Sequence, residues 1–350
     1  MGSMAWTTLG DAQGRFPHTH EPFARRRHDP RENDDAAHSR RNHNDQDQEA
    51  HVRHMTTNQK DFLTFINGRV MPYSEAIPVL RRINARSAGG YYDSARTFGG
   101  KPFKIRQHIE RLFNGLAYSK IDTGLSISDF ESISTGLIET NHSFLEDEGV
   151  ELTVTQTVTV SRPESADDLP GVDIAIYCEP LDVSGFARSY VEGVQIYTPN
   201  TYPEPKGQSV GDGKSGAVQV LSLMSNAQGH ITECRGANFM FVSDGRIKLP
   251  DRSNVLPGVS MQTVLEIADY LGIGVDEGLY NQGRLYDADE AFVSSTRYCL
   301  LPVATINGYP LGDSIPGEVT RKITSRWKEL VGVDFVRRTL DSLDDGLSHA

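Results

Sequence analysis

Cysteine is scarce. The chain has three in 350 residues, Cys178, Cys234 and Cys299. Their spacing fits neither a metal-ligand set nor a disulfide framework, and a reduced, intracellular setting is the simplest reading. Long apolar runs are also missing. No stretch reaches the roughly 18 consecutive apolar residues of a membrane span, so no membrane partner is expected. The N-terminus lacks the apolar core of a secretory signal. Positive charge is in deficit, with a formal net charge of −12, which argues against general nucleic-acid binding. No internal repeat is found. Apolar residues make up only 37% of the chain, low for a wholly globular protein.

The first 55 residues account for part of that shortfall. FARRRHDPRENDDAAHSRRNHNDQDQEAHVRH has almost nothing to bury, and residues 1–58 are expected to form a disordered tail. Its histidines (His18, His20, His28, His38, His43, His51 and His54) are irregularly spaced, as in a solvated tail rather than a metal site. The segment is too acidic for a typical mitochondrial presequence. A cytoplasmic location is expected, with a mitochondrial one as the alternative. Met55 is a candidate second start, with order beginning near Asp61.

The remainder reads as two α/β domains, 59–180 and 191–335, joined by a linker at 181–190 and followed by a frayed tail at 336–350. In the first domain, FLTFINGRVMPY forms two strands around Asn67-Gly68, a strong hairpin signal. Tyr91–Phe98 is a strand turned by Gly99-Gly100. Ile105, Ile109, Leu112 and Leu116 have helical spacing. A second helix starts near Ser128-Asp129, which caps it, with Phe130, Ile133 and Leu137 inward. Leu152, Val154, Val158 and Val160 alternate with polar residues as a half-buried strand, and 173–178 continues the sheet. In the second domain, a helix at 261–271 is capped by Ser260, a strand covers 291–295, and a last helix covers about 316–331.

The stretch with most chemistry is 211–242, GDGKSGAVQVLSLMSNAQGHITECRGANFMFV. Gly211, Gly213 and Gly216 surround Lys214 and permit close approach of a ligand. A desolvated lysine is a Schiff-base nucleophile. Taken alone, Lys214 reads as a solvated lysine in a surface turn. Glu233 changes the balance. It sits in an apolar strand after a turn at Asn226–Gly229, where a carboxylate is costly without a positive partner. A protonated pyridine nitrogen would be such a partner.

These segments resemble the class IV (fold-type IV) aminotransferases dependent on pyridoxal 5′-phosphate (PLP), which include branched-chain and D-amino-acid aminotransferases and aminodeoxychorismate lyase. GDGKSG resembles the lysine segment and ITECRGANFMFV the glutamate segment, with Asn238 at its usual asparagine. LPGVSMQTVLEIADYLGI, DADEAFVSSTRYCLLPVATING and RTFGGKPFKIRQHIERL follow in kind. The five motifs span about 62–330.

The resemblance implies the two-domain D-amino-acid aminotransferase-like fold, with PLP between the domains, and a homodimer. It makes Lys214 the catalytic, cofactor-binding lysine and Glu233 the partner of the pyridine nitrogen. Arg111, Val259, Ser260 and Thr296 become phosphate ligands. Tyr92, Arg96 and Arg297 fall near the substrate. Each has a plainer reading as well. Arg111 suits an exposed helix arginine, Ser260 an N-cap, Arg96 a structural ion pair and Arg297 a solvated side chain. Lys206, after Pro205, is a rival to Lys214. No metal is implied.

One departure stands out. Relatives carry a helix of about four turns after the lysine; here Gly216-Ala217 runs straight into Val218-Gln219-Val220. An apolar groove beside a loosely held lysine is the expected result. The leading functional reading is transfer of an amino group between a branched-chain-like amino acid and a 2-oxo acid. The alternatives are a PLP lyase and an inactive homologue.

Overall fold

The computed structural model describes residues 61–145, 149–162, 171–199 and 219–347, together with a two-residue strand at the N-terminus; side chains are described up to residue 341. The strands are β1 (Met4–Ala5), β2 (Leu63–Ile66), β3 (Arg69–Pro72), β4 (Ser87–Phe98), β5 (Lys101–Pro102), β6 (Leu152–Ser161), β7 (Gly171–Pro180), β8 (Val194–Tyr197), β9 (Val220–Ser225), β10 (Ile231–Cys234), β11 (Asn238–Ser243), β12 (Arg246–Pro250), β13 (Val275–Gly278), β14 (Glu290–Ser295), β15 (Cys299–Ile306) and β16 (Tyr309–Pro310). The helices are α1 (Tyr73–Arg86), α2 (Ile105–Tyr118), α3 (Ile127–His142), α4 (Ser189–Glu192), α5 (Val259–Tyr270), α6 (Glu318–Val331) and α7 (Phe335–Leu347).

The first sheet runs β1-β4-β6-β7-β2-β3, with β5 on β4, and is antiparallel. Asn67 and Gly68 take φ of 48° and 84°, as the tight β2–β3 hairpin requires. Helices α2 and α3 cover this sheet. Ile109 and Leu112 of α2 pack with Phe130 and Ile138 of α3 over Val154 and Val158 of β6. The stripe at 105, 109, 112 and 116 is buried as its spacing indicates.

The second sheet runs β10-β9-β8-β15-β14-β11-β12-β13, with β16 on β15. Its β8–β9, β8–β15 and β12–β13 pairs are parallel. Its core gathers Phe239, Phe241 and Phe292 from the sheet with Val264 of α5 and Trp327 of α6. The parallel β8–β9 pair needs a crossover of about a dozen residues or more. The chain supplies it between Tyr197 and Val220, and 200–218 lies outside the described residues. The sheet face turned away from this core carries Gln195, Tyr197, Val220, Ser222 and Met224; Val220 is 1% exposed and Met224 40%. The segment expected to leave a groove there falls in 200–218.

The described residues from 62 onward, with the strand at Met4–Ala5, cluster as one compact unit despite the two cores. Strand β4 serves both cores: Ala95 belongs to the first, and Phe98 to the second. The expected linker at 181–190 is not a loose tether. Phe186, Ala187 and Tyr190 are buried, and the Tyr190 hydroxyl donates to the Tyr298 carbonyl at 2.7 Å.

Several boundaries differ from the sequence reading. Helix α1 was not anticipated; it holds Pro78 within it and buries only Ala76 and Ile83, so its signal is weak. Helix α3 is capped by Ser126, not Ser128. Ser126 accepts from the Asp129 N–H while Asp129 reaches back to the Ser126 N–H, a capping box. Helix α5 starts at Val259 with Gly258 as its cap, so Ser260 lies inside the first turn and is not the cap. The tail expected to fray from 336 is helix α7. Phe335 stacks near Phe98, Tyr190 and Trp327, Thr339 is 4% exposed, and Arg338 donates to Glu151 at 3.1 Å. Met4–Ala5 pair with β4 opposite Tyr92 and Tyr91. The rest of the expected tail up to residue 60 lies outside the described residues.

Candidate functional site

Strand β10 carries Glu233 and leads through the turn at Arg235-Gly236 into β11, which opens with Asn238. Glu233 Oε2 accepts from the Asn238 side-chain amide at 3.0 Å and from the Leu256 N–H at 2.9 Å. Asn238 also donates to the Leu256 carbonyl at 2.9 Å. The carboxylate and the 256–258 loop therefore form one hydrogen-bonded unit. Gly258 closes it: a Cβ there would lie 2.0 Å from Asn238 Oδ1, so only glycine permits the approach. Burial pushes the Glu233 carboxyl above its ordinary range, against the Leu256 N–H and the more distant Arg111 charge, which both lower it. No described cation bonds to it.

Helix α5 begins immediately beyond that loop. Its first i→i−4 bond runs from the Gln262 N–H to the Gly258 carbonyl. The N–H groups of Val259 and Ser260 precede it, and the Gly258 cap supplies no side chain to bind them. Val259, Ser260 and Thr296 border a small cleft of about 10 Å³, room for one water, together with Arg96, His108, Cys299 and the rings of Phe98, Phe103 and Trp327. Thr296 lies in the turn between β14 and β15, half-buried. The N–H groups at the start of α5, with the Ser260 and Thr296 hydroxyls, are a donor set suited to an anion such as phosphate.

Arg111 lies on α2, three residues after His108, so both face β4. Arg111 Nε and Nη2 donate to Asp93 at 2.7 and 2.8 Å, and His108 Nδ1 meets Asp93 Oδ1 at 2.8 Å. Arg111 Nη1 points to the Pro257 carbonyl at 3.4 Å, beside the start of α5. Asp93 is 2% exposed. Burial alone would raise its carboxyl, but the hydrogen bonds from His108 and Arg111 prevail and hold it below the usual range.

The residues expected near substrate divide. Arg96 is in the cleft. Tyr92 is half-buried on the opposite face of β4 from Asp93. Arg297 turns away: its guanidinium lies 5.2 Å from the Phe186 ring centre and donates to the Asp182 carbonyl at 3.2 Å. Lys214 and its rival Lys206 fall in 200–218, outside the described residues. Sequence reasoning missed Asp93, His108 and Cys299. The first two had a readable signal: a charged residue in the strand YYDSARTF, and a histidine on the stripe face of α2. Cys299 had none. Among the described residues no group of three or more His, Cys, Asp or Glu could hold a metal, and no helix is long and apolar enough to cross a membrane.

Residues 214–306 match the family model for amino-transferase class IV. The matched segment begins at Lys214 and includes Glu233, Val259, Ser260 and Thr296. The chain is similar to a D-alanine aminotransferase of Listeria innocua, 23% identical over 275 residues, covering 75% of this chain and 94% of that protein. It is similar to the branched-chain-amino-acid aminotransferase of Escherichia coli K12, 24% identical over 305 residues, covering 77% and 92%. Among solved structures, the branched-chain amino acid aminotransferase from Thermobaculum terrenum in its PLP form superposes with a TM-score of 0.64 at 19% identity, covering 81% of this chain and 98% of that one. The expected two-domain α/β fold is thereby borne out.

Proposed function

We propose that this chain, a member of the class IV amino-transferase family, is a transaminase that binds PLP and moves an amino group between an amino acid and a 2-oxo acid. The observation that carries the reading is the Glu233–Asn238–Leu256 unit. It sets a carboxylate without a cation at a fixed offset from the N-terminus of α5, as a ring nitrogen and a phosphate on one small molecule require. When bound, PLP supplies the electron sink that stabilises negative charge at the substrate Cα.

The chain's residues have separable tasks. Glu233 holds a proton at the pyridine nitrogen. Asn238 and the Leu256 N–H fix the carboxylate, so its orientation does not depend on the ligand. The N–H groups of Val259 and Ser260, with the Ser260 and Thr296 hydroxyls, bind the phosphate. Arg111, clamped by Asp93, closes that end beside Pro257. Lys214 would hold the cofactor and serve as the base that takes the proton from the substrate Cα. Tyr92 borders the substrate side. A branched-chain-like amino acid as substrate and a homodimer as assembly belong to this reading; sedimentation of the purified protein tests the second.

Absorbance tests the first. Protein incubated with PLP should show the visible band of lysine-bound cofactor, and one of L-leucine, L-glutamate or D-alanine should bleach it. Lys214→Ala should abolish the band, and Lys206→Ala should leave it. The opposite pattern would reassign the lysine. A band that no donor bleaches would defeat the transaminase reading.

A further inference from the structure

The small cleft beside α5 lies where β4, α2, α5, α6 and the β14–β15 turn meet. Several of the side chains around it carry polar atoms that the protein itself does not satisfy. Trp327 of α6 is 1% exposed, and its Nε1–H is buried without a hydrogen-bond partner. Arg96 is 5% exposed. Its Nε donates to the Thr97 carbonyl, and its Nη1 to the Arg297 carbonyl and Cys299 Sγ. Among the described residues, its Nη2 makes no hydrogen bond. The Ser260 and Thr296 hydroxyls border the same cleft and make none either. His108, also on the cleft, is held by Asp93 through Nδ1. A buried donor left unpaired is costly. At about 10 Å³ the cleft has room for one water and none for a phosphate. A buried water makes about three hydrogen bonds, and this cleft gathers enough polar groups to supply them.

We infer that the cleft is the site of one buried structural water, and that this water orients the two hydroxyls at the start of α5. It accepts from Trp327 Nε1–H and Arg96 Nη2–H, and its two protons go to Ser260 Oγ and Thr296 Oγ1. The direction of each bond follows from what the groups can do. An indole N–H and a guanidinium N–H only donate, so they occupy both lone pairs of the water. Only its protons are then left for the hydroxyls. Each hydroxyl, having accepted from the water, keeps its own proton for an anion outside the cleft. Two groups that could turn either way are thereby fixed as donors. Trp327 and Arg96 act through the water as positioning residues and touch no ligand. The inference rests on the PLP reading for the identity of the anion, and not for the water itself.

The first arm of the test is a crystal structure of the native protein without cofactor, at a resolution that shows ordered water. One density peak should lie in the cleft, within hydrogen-bond reach of Trp327 Nε1 and of at least two of Arg96 Nη2, Ser260 Oγ and Thr296 Oγ1. A dry cleft, or a water that misses Trp327 or both hydroxyls, overturns the inference. The second arm is calorimetry with PLP and with pyridoxal, which lacks the phosphate. Trp327→Phe keeps an aromatic ring near Phe103 and Phe335 and removes the N–H. It should lower the preference for PLP over pyridoxal about fivefold, the size of one neutral hydrogen bond, and leave pyridoxal affinity in place. A loosened core alone would weaken both ligands equally. That result, or an unchanged preference, overturns the orienting role. Should Trp327→Phe fail to fold, benzothienylalanine at position 327 keeps the ring shape without the N–H and takes its place. A native protein that binds neither PLP nor pyridoxal overturns the cofactor reading and the orienting role, while the crystal structure still decides the water site.

Discussion

Asp93 on β4 and Glu233 on β10 are both carboxylates largely withdrawn from water, yet their surroundings move them in opposite directions. Asp93 receives a bidentate guanidinium and an imidazole, and its carboxyl is held below the usual range. Glu233 receives an amide and one backbone N–H, both neutral, and burial raises it. The first carboxylate is complete within the fold. The second is oriented by the fold and still wants a cation. The two carboxylates thus differ both in the charge of their partners and in burial, Asp93 being fully buried and Glu233 half-buried.

The sharpest way to break this comparison is to remove the completed carboxylate. Asp93→Asn leaves Arg111 and His108 without their anion. Loss of one partner from a buried pair costs about 3–5 kcal/mol, and chemical denaturation of the cofactor-free protein should show a loss of that order. The pH dependence has a definite sign. A carboxyl depressed in the folded state stabilises above its unfolded pKa of about 3.9 and loses that contribution as pH falls through the folded value. The gap between native protein and Asp93→Asn should therefore be full at neutral pH and close in acid. A variant as stable as the native protein at pH 7 would show that the bonds from Arg111 and His108 to Asp93 do not stabilise the fold.

The incomplete carboxylate should respond the other way. In Glu233→Gln the amide oxygen can still accept from Leu256 and Asn238, while the buried charge is gone. Turnover should fall on the order of 100-fold or more, because a neutral amide cannot hold the pyridinium proton. The cofactor-free variant should be no less stable than the native protein at pH 7. A carboxyl raised in the folded state favours folding below its unfolded pKa of about 4.3, and that contribution is lost as pH rises through the folded value. The variant's advantage should therefore appear only as pH rises above that range, and steady-state assays and melts across pH would check both points. Near-native turnover would remove Glu233 from the mechanism.

A smaller effect is expected at the far end of β4. Arg338 of α7 meets Glu151 with its own side chain 48% exposed and that of Glu151 10%. Glu151 keeps its bonds from Thr97 and Gly99 without the arginine, so the loss should stay near the roughly 1 kcal/mol upper end for solvent-reached pairs. Arg338→Ala should shift the denaturation midpoint slightly and leave cofactor affinity unchanged. Among the described residues, removal of 1–55 takes away only the two-residue β1 paired with β4 and should lower the melting temperature slightly at most; a large drop would contradict the expectation of a disordered tail.

Much of this molecule was legible before its structure. Asn67-Gly68 dictated a hairpin because only a few residues take the left-handed backbone it needs. The stripe at 105, 109, 112 and 116 dictated a buried helix face by its period alone. Glu233 was conspicuous because an acid in an apolar strand requires an explanation. These are local signals, set by residue type and spacing. The structure was needed wherever partners come from distant parts of the chain. Asp93 and Arg111 are 18 residues apart and Arg96 and Arg297 are 201 apart, and no pattern within either segment announces the other. Ser260 looked like a cap until Gly258 took that place, because the close contact with Asn238 decides where the helix begins. Helix α7 looked like a polar tail until Phe335 found an aromatic pocket built by β4, α4 and α6. Backbone geometry and periodicity belong to the sequence. Which charges are neutralised, and which remain for a ligand, is decided only when the strands and helices are brought together, because electrostatic energy depends on distance through space and on burial.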